Sequence, residues 1–151
     1  MLLKWTYQSF NDLSPSALYA IMGLRSEVFV VEQNCVYQDA DQKDQPAFHL
    51  CGWDEEKLAA YCRILPPGIA FNEPSIGRVV TSPAYRKTGS GRQLMQLAIE
   101  KTLQQFGQPL ITIGAQLYLE KFYTSLGFVP ISSTYLEDNI SHIHMQLKAT
   151  I

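Results

Sequence analysis

Hydrophobic and polar positions change period several times along the chain, and the changes outline strands alternating with helices. Residues 4–10 alternate, with Trp5, Tyr7 and Ser9 on one side, which predicts an opening strand. Ser14 and Pro15 then supply an N-cap and a first-turn proline, and Leu18, Ile21, Met22, Val28 and Phe29 keep a helical spacing to about Val31. Residues 33–47 lose the period and are polar and acid-bearing. Strand-like runs at 48–53 and 58–65 are joined by Asp54-Glu55-Glu56-Lys57 as a hairpin turn, and Pro66-Pro67-Gly68 ends the second, since proline cannot donate to a ladder. A strand over 76–81, a loop over 82–90 and a helix over 91–106 follow, the helix closed by Gly107 and Pro109. Residues 110–113 read as a short strand, 116–126 as a helix ending at Gly127, and 128–131 and 142–147 as the last strands. This order predicts an α/β (α+β mixed) fold, a mixed sheet covered by helices.

Composition narrows the classes. A chain of 151 residues has room for one domain, so residues 1–151 are read as a single unit. A hydrophobic content of 46% with 17% charged residues excludes wholesale disorder. The formal net charge of −2 leaves no cationic excess to displace counterions, so a nucleic-acid partner is not expected. No apolar stretch approaches the roughly 20 residues that cross a bilayer, and Met1-Leu2-Leu3-Lys4 runs straight into a polar-interrupted segment, which reads as an unexported chain without a membrane partner. Cys35, Cys51 and Cys62 cannot all pair and none has CxxC spacing, which fits a reducing cytoplasm. Cys51 and Cys62 sit in apolar runs and should be buried, whereas Cys35 lies in a polar loop with no base marked beside it.

The most informative segment runs from Ile76-Gly77-Arg78-Val79-Val80-Thr81 through Arg86-Lys87-Thr88-Gly89-Ser90-Gly91-Arg92. A strand enters a glycine-bearing loop that opens a helix, and the free N–H groups of such a helix start suit a phosphate or pyrophosphate. Arg86, Lys87 and Arg92 add positive charge. A nucleotide P-loop is excluded because no GxxxxGK string occurs, and a dinucleotide turn because Leu94 stands where a third glycine or alanine belongs. Arg86 to Gly91, Arg-x-x-Gly-x-Gly, resembles instead the GNAT superfamily of acyl-coenzyme A dependent N-acetyltransferases. A second match, Tyr123-Thr124-Ser125-Leu126-Gly127-Phe128, resembles that family's helix ending in Tyr-x-x-x-Gly-Phe. The stretches from Arg25 to Gln33 and from Tyr135 to Met145 are similar to its small ElaA-like branch.

The resemblance implies a mixed, mostly antiparallel sheet flanked by helices, with acetyl-coenzyme A as cosubstrate. Val79 and Val80 match the strand whose main chain pairs with the pantetheine arm. Arg86, Lys87, Thr88, Gly89, Ser90, Gly91 and Arg92 match the pyrophosphate loop, and Gln116 falls where many members carry a cofactor-contacting asparagine. Tyr123 matches the general acid that protonates the departing thiolate. The acceptor is then a small-molecule amine or a lysine-bearing peptide, and a homodimer is a further partner alternative. On the residues alone, Gly89 and Gly91 also suit a plain strand-to-helix turn, and Tyr123 a core aromatic. A non-catalytic acyl-coenzyme A sensor on the same fold is the alternative function.

The base is not given by the resemblance, since no acid stands in residues 75–81. Glu32 and His49 are carried as catalytic candidates, with Glu137 and His142 beside them. Glu32 also suits neutralisation of Arg25, and His49 a hydrogen-bonded strand residue. His142 and His144 share one strand face near Glu137 and Asp138, but the spacing is not that of a metal site, and no metal is expected. Finally, Glu32, Asp39, Asp41 and Asp44 against Lys43 suggest a negative rim that steers a cationic amine, the alternative being a solvated acidic loop.

Overall fold

A computed structural model describes residues 2–150; Met1 and Ile151, the ends of the expected single unit, lie outside them. The first strand, β1 (Lys4–Ser9), leads through a short 3₁₀ turn to helix α1 (Pro15–Arg25). Ser14 starts the helix by accepting the Ala17 N–H at 3.1 Å, with Pro15 in the first turn. The helix does not continue regularly to Val31 as its spacing suggests. It widens into a π-helical segment, Ser26–Glu32, after which the Gln33 and Cys35 N–H groups reach back to the Val28 and Val30 carbonyls at 3.1 and 3.0 Å.

Strands β2 (Phe48–Asp54), β3 (Lys57–Leu65) and β4 (Ser75–Thr81) join β1 in an antiparallel sheet of order β1-β2-β3-β4. Helix α2 (Ser90–Phe106) then leads to β5 (Leu110–Gln116). This strand runs past Ile113 through Gly114 to Gln116, so the next helix starts later than its spacing suggests, as a 3₁₀ turn followed by α3 (Glu120–Ser125). The second sheet has order β5-β8-β6, formed by β6 (Val129–Pro130) and the long β8 (Ile140–Lys148). The sequence pattern had not indicated β7 (Tyr135–Glu137), which pairs with β8. The mixed α/β class with antiparallel sheets flanked by helices therefore stands.

Two cores fix the layers. Ile21, Leu24, Val28 and Phe29 pack on Cys51, Leu58, Tyr61 and Val80, which places α1 and the π segment on one face of the first sheet. Leu94, Met95 and Ala98 of α2 pack between Leu50, Ile64 and Ile76 of the first sheet and Ile111, Ile113 and Met145 of the second. Burial of each leucine, isoleucine, valine, methionine or phenylalanine among them stabilises the fold by about 1.5–3 kcal/mol. Cys51 and Cys62 are buried as expected, and Cys35 is buried too, its thiol donating to the Asp138 carbonyl at 3.3 Å.

Candidate active site

The two sheets meet at β4 and β5, but only at the starts of these strands. The Thr112 N–H donates to the Pro74 carbonyl at 3.1 Å, and no ladder joins the two strands beyond it among the described residues. Both strands lead away from this contact into a cleft of about 1270 Å³, lined by Gly77 through Thr81 on one wall and by Ile113, Gly114 and Gln116 on the other. The splay has a local cause. Gly77 pairs with Arg63 and Val80 with Tyr61, so β4 holds one residue more than β3 over this stretch, and Arg78 adopts a left-handed φ of 49°. Such a bulge bends the strand and breaks its pairing. The side chains of Val79 and Val80 pack into opposite cores, which leaves their main chain for the cleft.

Arg78 is a residue that the sequence reading passed over, although an isolated glycine in a strand, here Gly77, is a usual sign of a bulge. Its Nε lies 2.8 Å from Asp39 Oδ1, its Nη2 reaches the Asp39 carbonyl at 3.1 Å and Asp41 at 3.2 Å, and its guanidinium lies over the Tyr37 ring.

At one end of the cleft α2 presents its N-terminus. Gly89 precedes the helix with φ of 85°, offers no side-chain cap, and accepts the first helical bond from the Gln93 N–H at 3.1 Å. The N–H groups of Ser90, Gly91 and Arg92 therefore face out of the helix as anion donors. A Cβ built on Gly91 would meet only Thr81 Oγ1, at 3.5 Å, so protein packing does not require glycine there and the space in front of it is left for a ligand. Thr88 donates to the Tyr85 carbonyl at 2.6 Å and its hydroxyl pairs with Ser90 at 2.6 Å, which holds the loop in shape. Lys87 takes a φ of 63° on the same loop. Arg92 donates to Ser125 at 2.6 Å and lies over the Phe122 ring, tying α2 to α3. These features fit the pyrophosphate of a coenzyme.

The expected site residues divide into those that line the cleft and those that do not. Glu32, Val79, Val80, Arg86, Gly91, Gln116 and Tyr123 line it. Lys87, Thr88, Gly89, Ser90 and Arg92 form the loop and helix start at its edge. Tyr123 is 5% exposed, and burial pushes its phenol pKa well above the ordinary value, so it keeps its proton at neutral pH. Gln116 exchanges amide hydrogen bonds with Gln33 at 3.2 and 3.3 Å, joining the end of β5 to the residue that follows the π segment.

Of the four base candidates, Glu137 and His142 line the cleft, whereas Glu32 and His49 have their polar atoms engaged by other residues. Glu32 does not neutralise Arg25; it holds Arg86 at 2.5 and 2.7 Å, and that pairing lowers its carboxyl pKa. His49 is 1% exposed and lies outside the cleft lining. Its Nε2 donates to the Asp44 carbonyl at 3.0 Å and its Nδ1 accepts from the Tyr61 hydroxyl at 2.7 Å. Burial lowers its pKa, so the ring is neutral and has both nitrogens occupied.

The acidic loop is not a free negative rim. Asp39 and Asp44 each lie 2.7 Å from the fully buried Arg25, Asp44 is 3.0 Å from Arg63, and Asp41 bridges Arg63 at 2.8 Å and Arg78 at 3.2 Å. Burial disfavours the charge on Asp44, but the guanidinium groups of Arg25 and Arg63 outweigh it and hold the carboxyl below the usual range; Arg63 and Arg78 do the same at Asp41. Three aspartates against three arginines cancel at short range, so this loop gives no ground for steering a cation. Sequence order could not show this, because each pair is distant along the chain.

A bulged strand splayed from its neighbour, followed by an open helix N-terminus, suits an extended ligand that ends in an anionic group. Residues 11–149 match the acetyltransferase (GNAT) domain family, and the chain belongs to it, in the ElaA-like branch. It is 41% identical over 146 residues to Protein ElaA of Escherichia coli (strain K12), covering 95% of each chain. The crystal structure of that protein superposes with a TM-score of 0.91 over 97% of this chain and 100% of the other, at 40% identity. An acyl-CoA N-acyltransferase from Pseudomonas aeruginosa is similarly close, with a TM-score of 0.90 at 41% identity over 96% and 99% of the two chains. An aminoglycoside 6′-N-acetyltransferase complexed with coenzyme A shares the fold at 15% identity, with a TM-score of 0.72 over 95% and 96%.

Proposed function

We propose that the protein transfers an acetyl group from acetyl-coenzyme A to the nitrogen of a small-molecule amine or a lysine-bearing peptide. The carrying observation is the inner edge of β4, which has no ladder partner among the described residues and leads through a short loop to the open N-terminus of α2. An extended arm can add to a free strand edge by main-chain hydrogen bonds, and an anion can dock on free helix N–H groups. Val79 and Val80 offer the first kind of contact, and the loop from Arg86 to Arg92 the second. Gln116 lines the same cleft and is assigned to contact the cosubstrate. The coenzyme supplies an activated thioester when bound. Tyr123 keeps its phenolic proton at neutral pH and is assigned to protonate the departing sulfur. A reducing cytoplasm is the proposed compartment, supported by three cysteines that are all unpaired.

Calorimetric titration with acetyl-coenzyme A, followed by thiol release in a panel of primary amines and lysine-bearing peptides, tests the reading. Binding with transfer to at least one amine is expected. Binding without transfer to any would leave the acyl-coenzyme A sensor, and no binding would overturn both.

A further inference from the structure

We infer that His142 is the catalytic base that removes the proton from the acceptor amine, an inference that rests on the transfer reading above. Along β8 the side chains of Ile143, Met145 and Leu147 enter the core, so His142 and His144 point to the opposite face, and both line the cleft. His142 stands across the ladder from Gln116, at the end of β5 that is tied to Gln33.

The hydrogen bonding of its ring fixes where a proton can go. Nδ1 lies 2.7 Å from the Ile140 carbonyl oxygen. A carbonyl oxygen only accepts, so Nδ1 carries the hydrogen and Nε2 of the neutral ring holds the lone pair. Glu137 Oε2 lies 3.6 Å from that Nε2, placed to stabilise the ring once it is protonated. Tyr135 stacks on the imidazole with centroids 5.7 Å apart, which holds its plane. The groups facing the ring are thus Tyr135 and Glu137 on β7, the neutral Gln116 on β5, and His144 farther along the same face of β8.

The other two histidines lack this arrangement. His49 is buried with both nitrogens in use. His144 packs against Phe71 and Tyr135, with centroids 5.1 and 4.7 Å away, and no hydrogen bond fixes its ring among the described residues.

In the balanced step, His142 Nε2 takes a proton from the neutral amine as its nitrogen bonds to the acetyl carbon. The C–S bond breaks with its electron pair on sulfur, and Tyr123 gives sulfur a proton. His142 then returns its proton to water and Tyr123 regains one from water, so one amine hydrogen has been exchanged for acetyl and one thiol is formed.

Two measurements test this. Nitrogen-15 NMR of histidine-labelled protein without cosubstrate is expected to show neutral His142 protonated at Nδ1. Kinetics of His142→Gln and His142→Ala, with acetyl-coenzyme A and the panel amine that the unaltered protein acetylates fastest, are expected to show kcat lowered by about 10²- to 10⁴-fold with an unchanged KM for acetyl-coenzyme A. Added imidazole should restore part of the rate to the alanine variant and none to the glutamine variant. A ring protonated at Nε2, a folded glutamine variant with unchanged kcat, or an alanine variant indifferent to imidazole each overturns the assignment while leaving acetyl transfer intact. No transfer by the unaltered protein instead removes the reading beneath it, and the role of His142 with it.

Discussion

Glu32 and Arg86 close a bridge over the cleft, the carboxylate at the end of the π segment meeting both terminal nitrogens of the arginine on the anion loop at 2.5 and 2.7 Å. The pair is exposed on both sides, so salt screens it. On the proposed reading, a ligand phosphate arriving at the loop competes with Glu32 for Arg86.

Glu32→Gln should therefore tighten acetyl-coenzyme A binding by about 2- to 5-fold at low salt, with the gain fading at high salt. Because the pairing lowers the Glu32 pKa, its carboxylate is a weak base, and kcat should stay within about threefold of the parent. Calorimetry at two salt concentrations and initial rates check both parts; a kcat loss of about 100-fold would restore Glu32 as the base.

Gly91→Val should fold, since a Cβ at that position meets only Thr81 Oγ1 at 3.5 Å, yet it fills the space before the α2 N-terminus. The expected result is at least about tenfold weaker acetyl-coenzyme A binding, about 1.4 kcal/mol, with little change in melting temperature. Undiminished affinity in the folded variant would displace the pyrophosphate from this loop.

Arg25 is fully buried between Asp39 and Asp44. Arg25→Met leaves two carboxylates without their main partner in a buried setting and should cost about 3–5 kcal/mol of stability, measured by urea unfolding. Asp41→Asn with Asp44→Asn should likewise act on stability first. Steering would instead appear as a salt-dependent amine KM, for which the paired aspartates give no cause.

Acid should destabilise the protein in two stages. His49 has a depressed pKa in the fold, so its contribution is full above the unfolded histidine value near 6.5 and declines as pH falls through the folded value. Asp41 and Asp44 are also depressed, so their contribution is full above the unfolded carboxylate value near 3.9 and is lost below it. Unfolding midpoints from about pH 8 to pH 3 should fall gently below about 6.5 and steeply below about 4. A midpoint that rises between pH 7 and pH 5 would contradict the neutral, buried His49.

Local chemistry made much of this molecule readable. Ser14-Pro15 marks the start of α1, and Gly89 with Gly91 marks the turn into α2, because capping and backbone freedom are properties of neighbouring residues. The π segment was not legible, since over one or two turns its spacing scarcely differs from that of an α-helix. Nor was β7, whose few residues carry too little alternation to stand out and which exists by pairing with β8. The arginine–aspartate network and the difference between His49 and His142 depend on residues far apart in sequence. Both histidines lie on strands, and only the tertiary fold places one under Tyr61 and the other in the cleft.

The single-turnover rate of acetyl transfer in Tyr123→Phe decides whether this tyrosine serves as the acid. The substitution removes one hydroxyl from a ring packed at 6.0 Å between centroids against Phe128, so the fold and acetyl-coenzyme A affinity should persist. The chemical step is expected to slow by about 10²- to 10⁴-fold. An unchanged rate in the folded, cosubstrate-binding variant would contradict it, leaving Tyr123 a core aromatic and the sulfur to depart unassisted.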